Sequence, residues 1–356
     1  MSKKFTDKQI EELKNLVDAS GAITAIVHTR PDGDAVGSGL GLISYLREKG
    51  KDAALVFPDE TPSSINFIFR EEDKDKCLVY QDKNASEAKK NAARKRLEES
   101  DLLFYLDFNS EDRTGPLAGE LKKLEARKVM IDHHLYPEAS AVSLCVSTPE
   151  VSSTCELLYF VLKAMEGGEE KNLGGRVAEC LLTGVITDTN NFANSVFEDT
   201  LGAYSELLSL GADREWLFEN LYQSYGENRL RLLGRLLDRK LTVTGSGLAV
   251  LDLDRKTIYA FDVGEGDTEG FVNLPLMSAN VKFSVFLKED KDRTRVSIRS
   301  KKGFSANRLA AEYFSGGGHE QASGGRLMFG KDIKDGSEAL AYTLKAFEDF
   351  MKKEKA

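Results

Sequence analysis

The sequence is poor in the residues that mark several common chemistries. Its 356 residues include four cysteines, Cys77, Cys145, Cys155 and Cys180, and no two of them form a C-x-x-C pair. Zinc ribbons and thiol redox motifs are therefore not expected, and scattered thiols in a chain of this length fit a reducing compartment. No apolar run approaches the roughly 20 residues of a membrane helix. The opening Met1-Ser2-Lys3-Lys4-Phe5-Thr6-Asp7 continues in mixed charge, without the apolar stretch of a secretory signal. A cytoplasmic protein with no membrane partner is expected. Basic residues are outnumbered, 49 against 58 acidic, for a net charge of −9. Coating long nucleic acid rests on many Lys and Arg contacts to phosphates, so a long nucleic acid is not the expected partner. A small anionic ligand remains compatible, because a site can be positive locally on an acidic protein. Low-complexity segments and short-period repeats are also missing.

What remains is ordinary globular material, 41% apolar and 30% charged. At about 100–200 residues per domain, the length suggests two domains. Thr6 and Gln9 have capping-box spacing ahead of Ile10, Leu13, Leu16 and Val17, which predicts a first helix ending near Gly21. Apolar runs at Ile23–Val27, Ala53–Phe57, Leu102–Leu106 and Val129–Ile131 read as strands. Helical patterns fall at Leu40–Lys49, Ala85–Glu99, after a Ser153/Glu156 box, and from Gly175 to about Thr187. Strands alternating with helices predict a doubly wound parallel sheet of the α/β class. Leu221–Lys240 reads as a charged connector helix. Beyond it, Leu241–Thr244, Leu248–Asp252, Val281–Leu287 and Arg295–Ile298 read as strands, and Ala306–Phe314 and Ser337–Lys352 as helices. The expected division is 1–220, a connector at 221–240, and a smaller α+β domain over 241–356.

Histidine is as scarce as cysteine, four in all, yet three of the four sit beside aspartates after a predicted strand. His28 opens His28-Thr29-Arg30-Pro31-Asp32-Gly33-Asp34, and His133 and His134 follow Asp132. Asp107 ends the run Leu102–Leu106, and Asp188 lies in Gly184-Val185-Ile186-Thr187-Asp188-Thr189, read as another strand end. Ligands of parallel α/β sheets bind outside the carboxyl ends of the strands, so these eight residues are expected to share one crevice. Singly, each has a bland reading: a strand-end Asp caps a helix or forms a turn, and a His-His pair can be a satisfied surface feature. Four such placements together are hard to explain by turn chemistry. A mixed N/O set suits Mn²⁺, Fe²⁺ or Zn²⁺ better than Ca²⁺. Six or more donors exceed the needs of one open catalytic ion. Two divalent ions about 3.5–4 Å apart would need a carboxylate between them, an arrangement suited to phosphoryl displacement by an activated water.

These residues resemble the four motifs of the DHH phosphoesterase superfamily: His28-Thr29-Arg30-Pro31-Asp32-Gly33-Asp34-Ala35, Asp107, Asp132-His133-His134 and Thr187-Asp188-Thr189. Gly316-Gly317-Gly318-His319, followed by Gly324-Gly325, resembles the signature of the family's DHHA1 domain. Together they span essentially the whole chain in the family's order, and the length resembles its short-RNA and pAp-hydrolysing branch. The resemblance implies that His28, Asp32 and Asp107 hold one ion. It implies that Asp34, His133 and Asp188 hold the second, again with Asp107 as the bridge, and that the ions are Mn²⁺. It gives Asp132 the orienting of the neighbouring imidazole and His134 a place facing the scissile phosphate, as donor or acid. Arg113 matches a family substrate contact, its rival reading being a surface helix cap, and Arg299-Ser300 matches a phosphate contact. One departure is Asn190 where the family has glycine; Asn tolerates left-handed backbone, so the turn is expected to persist.

The glycine run would let backbone N–H groups approach an anion, with His319 adding a side-chain donor. The alternative reading, a flexible linker, has no need of His319. Arg293, Arg295, Arg299, Lys301, Lys302 and Arg308 form a basic cluster, read evenly as a phosphate grip or a solvated strand face. Tyr313, Phe314 and Phe304 offer ring faces but are expected in the core. The resemblance implies an active site in a cleft between domains, hydrolysis of 2–5-nucleotide RNA and of 3′-phosphoadenosine 5′-phosphate (pAp), and a homodimer. The rivals are a linear or cyclic dinucleotide phosphodiesterase, an exopolyphosphatase-like hydrolase, a pyrophosphatase, a metal-dead nucleotide sensor and a nucleic-acid scaffold. The complete His28–Asp188 set disfavours the sensor, and the net charge disfavours the scaffold.

Overall fold

The computed structural model describes residues 4–81, 87–169, 172–264 and 266–355. Ala85 and Ser86, at the start of the predicted 85–99 helix, lie outside them. The chain divides into two compact units, Met1–Ser224 and Tyr225–Ala356.

The first unit is built on six strands: β1 (Ala22–Ile26), β2 (Asp52–Asp59), β3 (Cys77–Gln81), β4 (Leu102–Leu106), β5 (Arg127–Asp132) and β6 (Leu144–Ser147). All pairs are parallel, in the order β3-β2-β1-β4-β5-β6. The order reverses between β1 and β4, which makes their carboxyl ends the switch point of the sheet. The central strands are apolar at nearly every position because both faces are covered. Ile23 and Ala25 point into one core and Ile26 into the other; Leu102, Phe104 and Leu106 alternate in the same way with Leu103 and Tyr105.

The first core lies under α1 (Asp7–Asp18) and α2 (Gly33–Glu48). The second holds Ala93 and Leu97 of α3 (Glu87–Glu98) and Leu121 of α4 (Ala118–Leu121). Helices α5 (Thr154–Met165), α6 (Gly175–Asp188), α7 (Thr200–Ser209) and α8 (Arg214–Tyr222) complete the first face. The predicted capping box forms at α1, where the Thr6 side chain accepts from Gln9 and the Gln9 side chain accepts from Thr6 N–H. At α5 only half of it forms. The Ser153 hydroxyl accepts from Glu156 N–H, but the Glu156 carboxylate turns to Ser152 and Thr200.

In the second unit α9 (Glu227–Arg239) leads into β7 (Leu241–Val243) and β8 (Leu248–Leu253), then α10 (Arg255–Ala260). There follow β9 (Phe283–Glu289), β10 (Arg293–Ser300), α11 (Ala306–Tyr313), β11 (Gly317–Gly318), β12 (Ala322–Met328) and α12 (Ala339–Lys355). The segment 221–240 is thus not one helix: α8 ends at Tyr222 and α9 starts at Glu227. The strand order is β11-β12-β10-β9-β8-β7, antiparallel except for β8 with β9. One face packs Val250, Val285, Val296 and Ile298 against Leu309 of α11 and Phe347 of α12. The other packs Leu251 and Phe286 against Leu232 and Leu236 of α9. Phe314 is fully buried, and Phe304 and Tyr313 pack against the same core, as their aromatic character led one to expect. No helix among the described residues is long and apolar enough to cross a membrane.

Candidate metal centre

The carboxyl edge of the first sheet gathers the imidazoles and carboxylates. His28 lies two residues beyond β1, Asp107 directly follows β4, and Asp132 is the last residue of β5. Two donors arrive differently from the sequence expectation. Asp188 is the last residue of α6, not a strand end, and Asp34 stands in the first turn of α2. The helix expected from Gly175 to about Thr187 is present as α6; only the reading of Asp188 as a strand end fails, because short apolar runs such as 184–186 do not separate buried helix from buried strand.

Three groups of donors share Asp107, one of them with Asp132 and His134. His28, Asp32 and Asp107 bring one ligand atom each within 4.8 Å of one another, and so do Asp34, Asp107 and His133. His28 Nε2 is 3.3 Å from Asp107 Oδ2 and 3.9 Å from Asp32 Oδ1. His133 Nε2 is 3.5 Å from Asp107 Oδ1, 3.4 Å from Asp188 Oδ2 and 3.8 Å from Asp34 Oδ2. The Nδ1 of His28 lies 2.9 Å from the Thr29 carbonyl, which can only accept. The proton therefore sits on Nδ1, and the Nε2 lone pair faces the carboxylates. Burial also pushes the His28 pKa down, which favours the neutral, ligating form.

Asp32 performs its bland role as well: it N-caps α2, its Oδ1 accepting from Asp34 and Ala35 N–H at 3.1 Å. Asp34 is held by the N-terminus of α5. Its Oδ2 accepts from Thr154 N–H at 2.7 Å and its Oδ1 from Cys155 N–H at 2.8 Å. The Thr154 hydroxyl donates to Asp107 Oδ1 at 2.9 Å. Thr154 thus touches both buried carboxylates, and sequence reading missed it. Ser153 marked the start of that helix, but nothing local says what its N–H groups face. Asp132 orients His134 rather than His133, with Oδ1 2.8 Å from His134 Nδ1 and Oδ2 accepting the His134 N–H at 3.2 Å.

Burial and the negative charges of Asp34, Asp32, Asp188 and Asp132 raise the Asp107 pKa well above the carboxylate range. Burial and Asp32 push Asp34 up to about 6. Carboxylates crowded at this depth resist ionisation unless a cation joins them. The donors present, neutral imidazole nitrogen with carboxylate oxygen, fit divalent cations of the Mn²⁺, Fe²⁺ or Zn²⁺ type.

Loops tie the donor segments together. Thr29 donates both its N–H and its hydroxyl to the Arg113 carbonyl at 3.0 Å. Arg113 itself is exposed, within a 3₁₀ segment rather than at a helix cap, and its charge lowers the His28 pKa. Asn190 has φ 48°, the left-handed backbone expected at the family's glycine position.

The remaining candidates belong to the second unit. Arg299 is half-buried on β10, its Nη1 donating to the Ile298 carbonyl at 3.0 Å. Ser300 is buried, its hydroxyl donating to the Phe304 carbonyl. The glycine run is neither linker nor open loop: Gly317 and Gly318 pair with Gly324 and Ser323 of β12, and His319 turns the hairpin with Ala322. A Cβ on Gly316 would lie 1.9 Å from the Gly324 carbonyl oxygen. Close packing therefore explains that glycine, whereas exposed Gly317 meets only Asn307 Oδ1, at 3.7 Å. In the basic cluster Arg295 pairs with Asp290 at 3.5 Å and Arg308 with Glu354 at 2.7 Å, as on a solvated face.

Comparison with known proteins agrees with this architecture. The model of the DHH family, N-terminal domain, matches residues 22–185, and that of the DHHA1 domain matches residues 249–353. The chain is 30% identical over 324 residues to the bifunctional oligoribonuclease and PAP phosphatase NrnA of Thermus thermophilus, covering 90% of this chain and 88% of that one. It is 27% identical to the Bacillus subtilis protein of the same description, over 84% of this chain and 87% of that one. A crystal structure of an exopolyphosphatase-related protein from Bacteroides fragilis superposes with a TM-score of 0.87 at 34% identity, covering 99% of this chain and all of the other.

Proposed function

Because the chain belongs to the DHH family of phosphoesterases, with a DHHA1 domain following, we propose that it hydrolyses short oligoribonucleotides and pAp to mononucleotides, using two divalent ions, Mn²⁺ by preference. The observation that carries this reading is that Asp107 joins one donor group with His28 and Asp32 and another with Asp34 and His133. A carboxylate with one oxygen toward His28 and the other toward His133 is suited to bridge two cations. Bound there, such a pair supplies an activated water and neutralises charge on phosphate oxygens.

The protein's own groups do the rest. His28 and His133 offer imidazole nitrogens, and Asp32, Asp34 and Asp188 complete the two sets. His134 has Nδ1 engaged by Asp132, so Nε2 is the ring atom that meets a substrate. There it serves the scissile phosphate as hydrogen-bond donor or acid toward the oxygen leaving phosphorus. Arg113, close enough to influence His28, offsets phosphate charge. In the second unit Arg299, Ser300, Gly316, Gly317, Gly318 and His319 are proposed to hold a further phosphate, Gly317 through its exposed backbone.

The test is Mn²⁺-dependent turnover on pAp, the dinucleotide pApA, a five-nucleotide RNA, cyclic di-AMP, pyrophosphate and polyphosphate, with Asp107→Ala as control. Phosphate from pAp, or monomers from short RNA, lost in the control, is the expected result. Turnover confined to cyclic di-AMP or polyphosphate would replace the substrate, and nucleotide binding without any turnover would leave a sensor.

A further inference from the structure

Tyr136 is 87% exposed, the most exposed large apolar side chain among the described residues, and stands two positions beyond His134. Its φ is 59°, in the left-handed region that a bulky side chain rarely occupies. The segment is not loose. Asn109 Nδ2 donates to the Leu135 carbonyl at 2.7 Å, and Glu138 N–H donates to the Asn109 carbonyl at 2.7 Å. Both bonds flank Tyr136, and Asn109 is itself two residues beyond Asp107. A loop tied to the ends of β4 and β5 therefore spends an unfavourable backbone conformation to hold an aromatic ring in water. Backbone outliers of this kind gather at functional sites, where surrounding structure holds them in place. Neighbouring Leu135, 37% exposed, extends the apolar surface.

From this we infer that Tyr136 is a stacking platform for the nucleobase attached to the phosphate being cleaved. The inference rests on the hydrolase reading above. Two residues of chain span at most about 7 Å, which keeps the Tyr136 backbone within that distance of His134. The ligand class follows from the chemistry. Every base presents a π face to an aromatic ring, so one tyrosine accepts any base without reading its sequence. A base-free phosphate chain offers it nothing. Tyr136 thus sets a preference for nucleotides over polyphosphate or sugar phosphates, and for short RNA without regard to sequence.

The experiment compares wild type, Tyr136→Ala and Tyr136→Phe on pApA and on its counterpart lacking the terminal base. Turnover is measured with Mn²⁺, and equilibrium binding by calorimetry beside it. Loss of one stacked base corresponds to about 5- to 150-fold in binding. Tyr136→Ala is expected to raise KM and Kd for pApA within that range with kcat little changed. The abasic ligand should be unaffected, and Tyr136→Phe should behave as wild type. Equal losses on both ligands would reveal a merely structural role, and no loss on either would remove the platform; both results overturn the inference. If wild type hydrolyses neither ligand but Tyr136→Ala still loses affinity for the base-bearing one, the platform stands and the hydrolase reading fails.

Discussion

Thr154→Val is the sharpest test of how the metal centre is held. Thr154 is fully buried, its N–H donates to Asp34 Oδ2 at 2.7 Å, and its hydroxyl donates to Asp107 Oδ1 at 2.9 Å. Valine keeps nearly the same shape and the same backbone N–H, so Asp34 retains both of its helix donors. Only the bond to Asp107 is lost. A buried oxygen stripped of its donor costs about 1–3 kcal/mol. Removing a partner that orients a ligating carboxylate typically lowers metal affinity by about 10–100-fold. Calorimetric titration with Mn²⁺ should show a loss in that range, with kcat falling in parallel and the circular dichroism spectrum unchanged. Thr154→Ser, which keeps the hydroxyl, should restore both. Metal affinity and kcat within about twofold of wild type in the valine variant would refute the reasoning and reduce the contact to packing.

Three further outcomes follow from the same geometry. A Cβ on Gly184 would lie 2.3 Å from Cys155 Sγ and 2.5 Å from Asp34 Oδ1. Gly184→Ala should therefore cost about 1–3 kcal/mol through overpacking, read as a lowered Tm together with weakened metal binding. Asp107→Asn should leave the Tm of the metal-free protein no lower, because the native carboxyl is already driven toward its neutral form. The rise in Tm on adding metal, about 2.7 kcal/mol of stabilisation at a hundredfold excess over Kd in wild type, should vanish; a wild type that melts identically with and without divalent ions would sink this idea. Asp101 accepts from Ala22 and Gly21 N–H at the start of β1, which holds its carboxyl below the usual range. A depressed carboxyl stabilises above its unfolded pKa and loses that contribution as pH falls through its folded one. Asp101→Asn should accordingly lower Tm near pH 7, with the gap closing below about pH 4.

The parts of this fold legible in sequence are those where burial leaves no choice. Strands β1, β2, β4 and β5 lie in the middle of a sheet covered on both faces, so their apolar runs were unmistakable. Edge strands β3 and β6 were missed: their apolar runs, Cys77–Tyr80 and Leu144–Val146, are short, and at the sheet edge Cys77–Gln81 is half-buried to exposed and Leu144–Ser147 alternates in burial. Strand β12 was not expected either, since glycine is a weak strand former, yet Gly324 and Gly325 serve the close approach of Gly316 and Phe314. In the candidate site, donor identities could be listed because His and Asp are informative beside strand ends. Their partners could not. Thr154 reaches Asp107 across 47 residues, and no local pattern encodes that contact.

The backbone of the site explains why its geometry stayed hidden even where its residues did not. Among the described residues nine that are not glycine have positive φ, and seven of them fall in the loops that carry the donors: Arg30, Asp107, Tyr136, Asn190, Asn191, Phe192 and Ser195. Sequence reading assigns left-handed turns to Gly, Asn and Asp, and only three of the seven are Asn or Asp. For Arg, Tyr, Phe and Ser the local preference opposes the conformation, so the fold must impose it. The means are visible at two of these positions. Asp107 is fixed by its N–H bond to the Ile131 carbonyl of β5 and by Thr154, and Tyr136 by the two bonds to Asn109. Conflict between local preference and global structure is expected where function, not stability, chose the residue. That argument separates Asp107, whose left-handed backbone places a carboxylate common to the donor groups, from Asp262, whose positive φ lies in the second unit outside every motif. It also singles out 190–195, where three consecutive left-handed residues follow Asp188, as the stretch whose shape the donor set most depends upon.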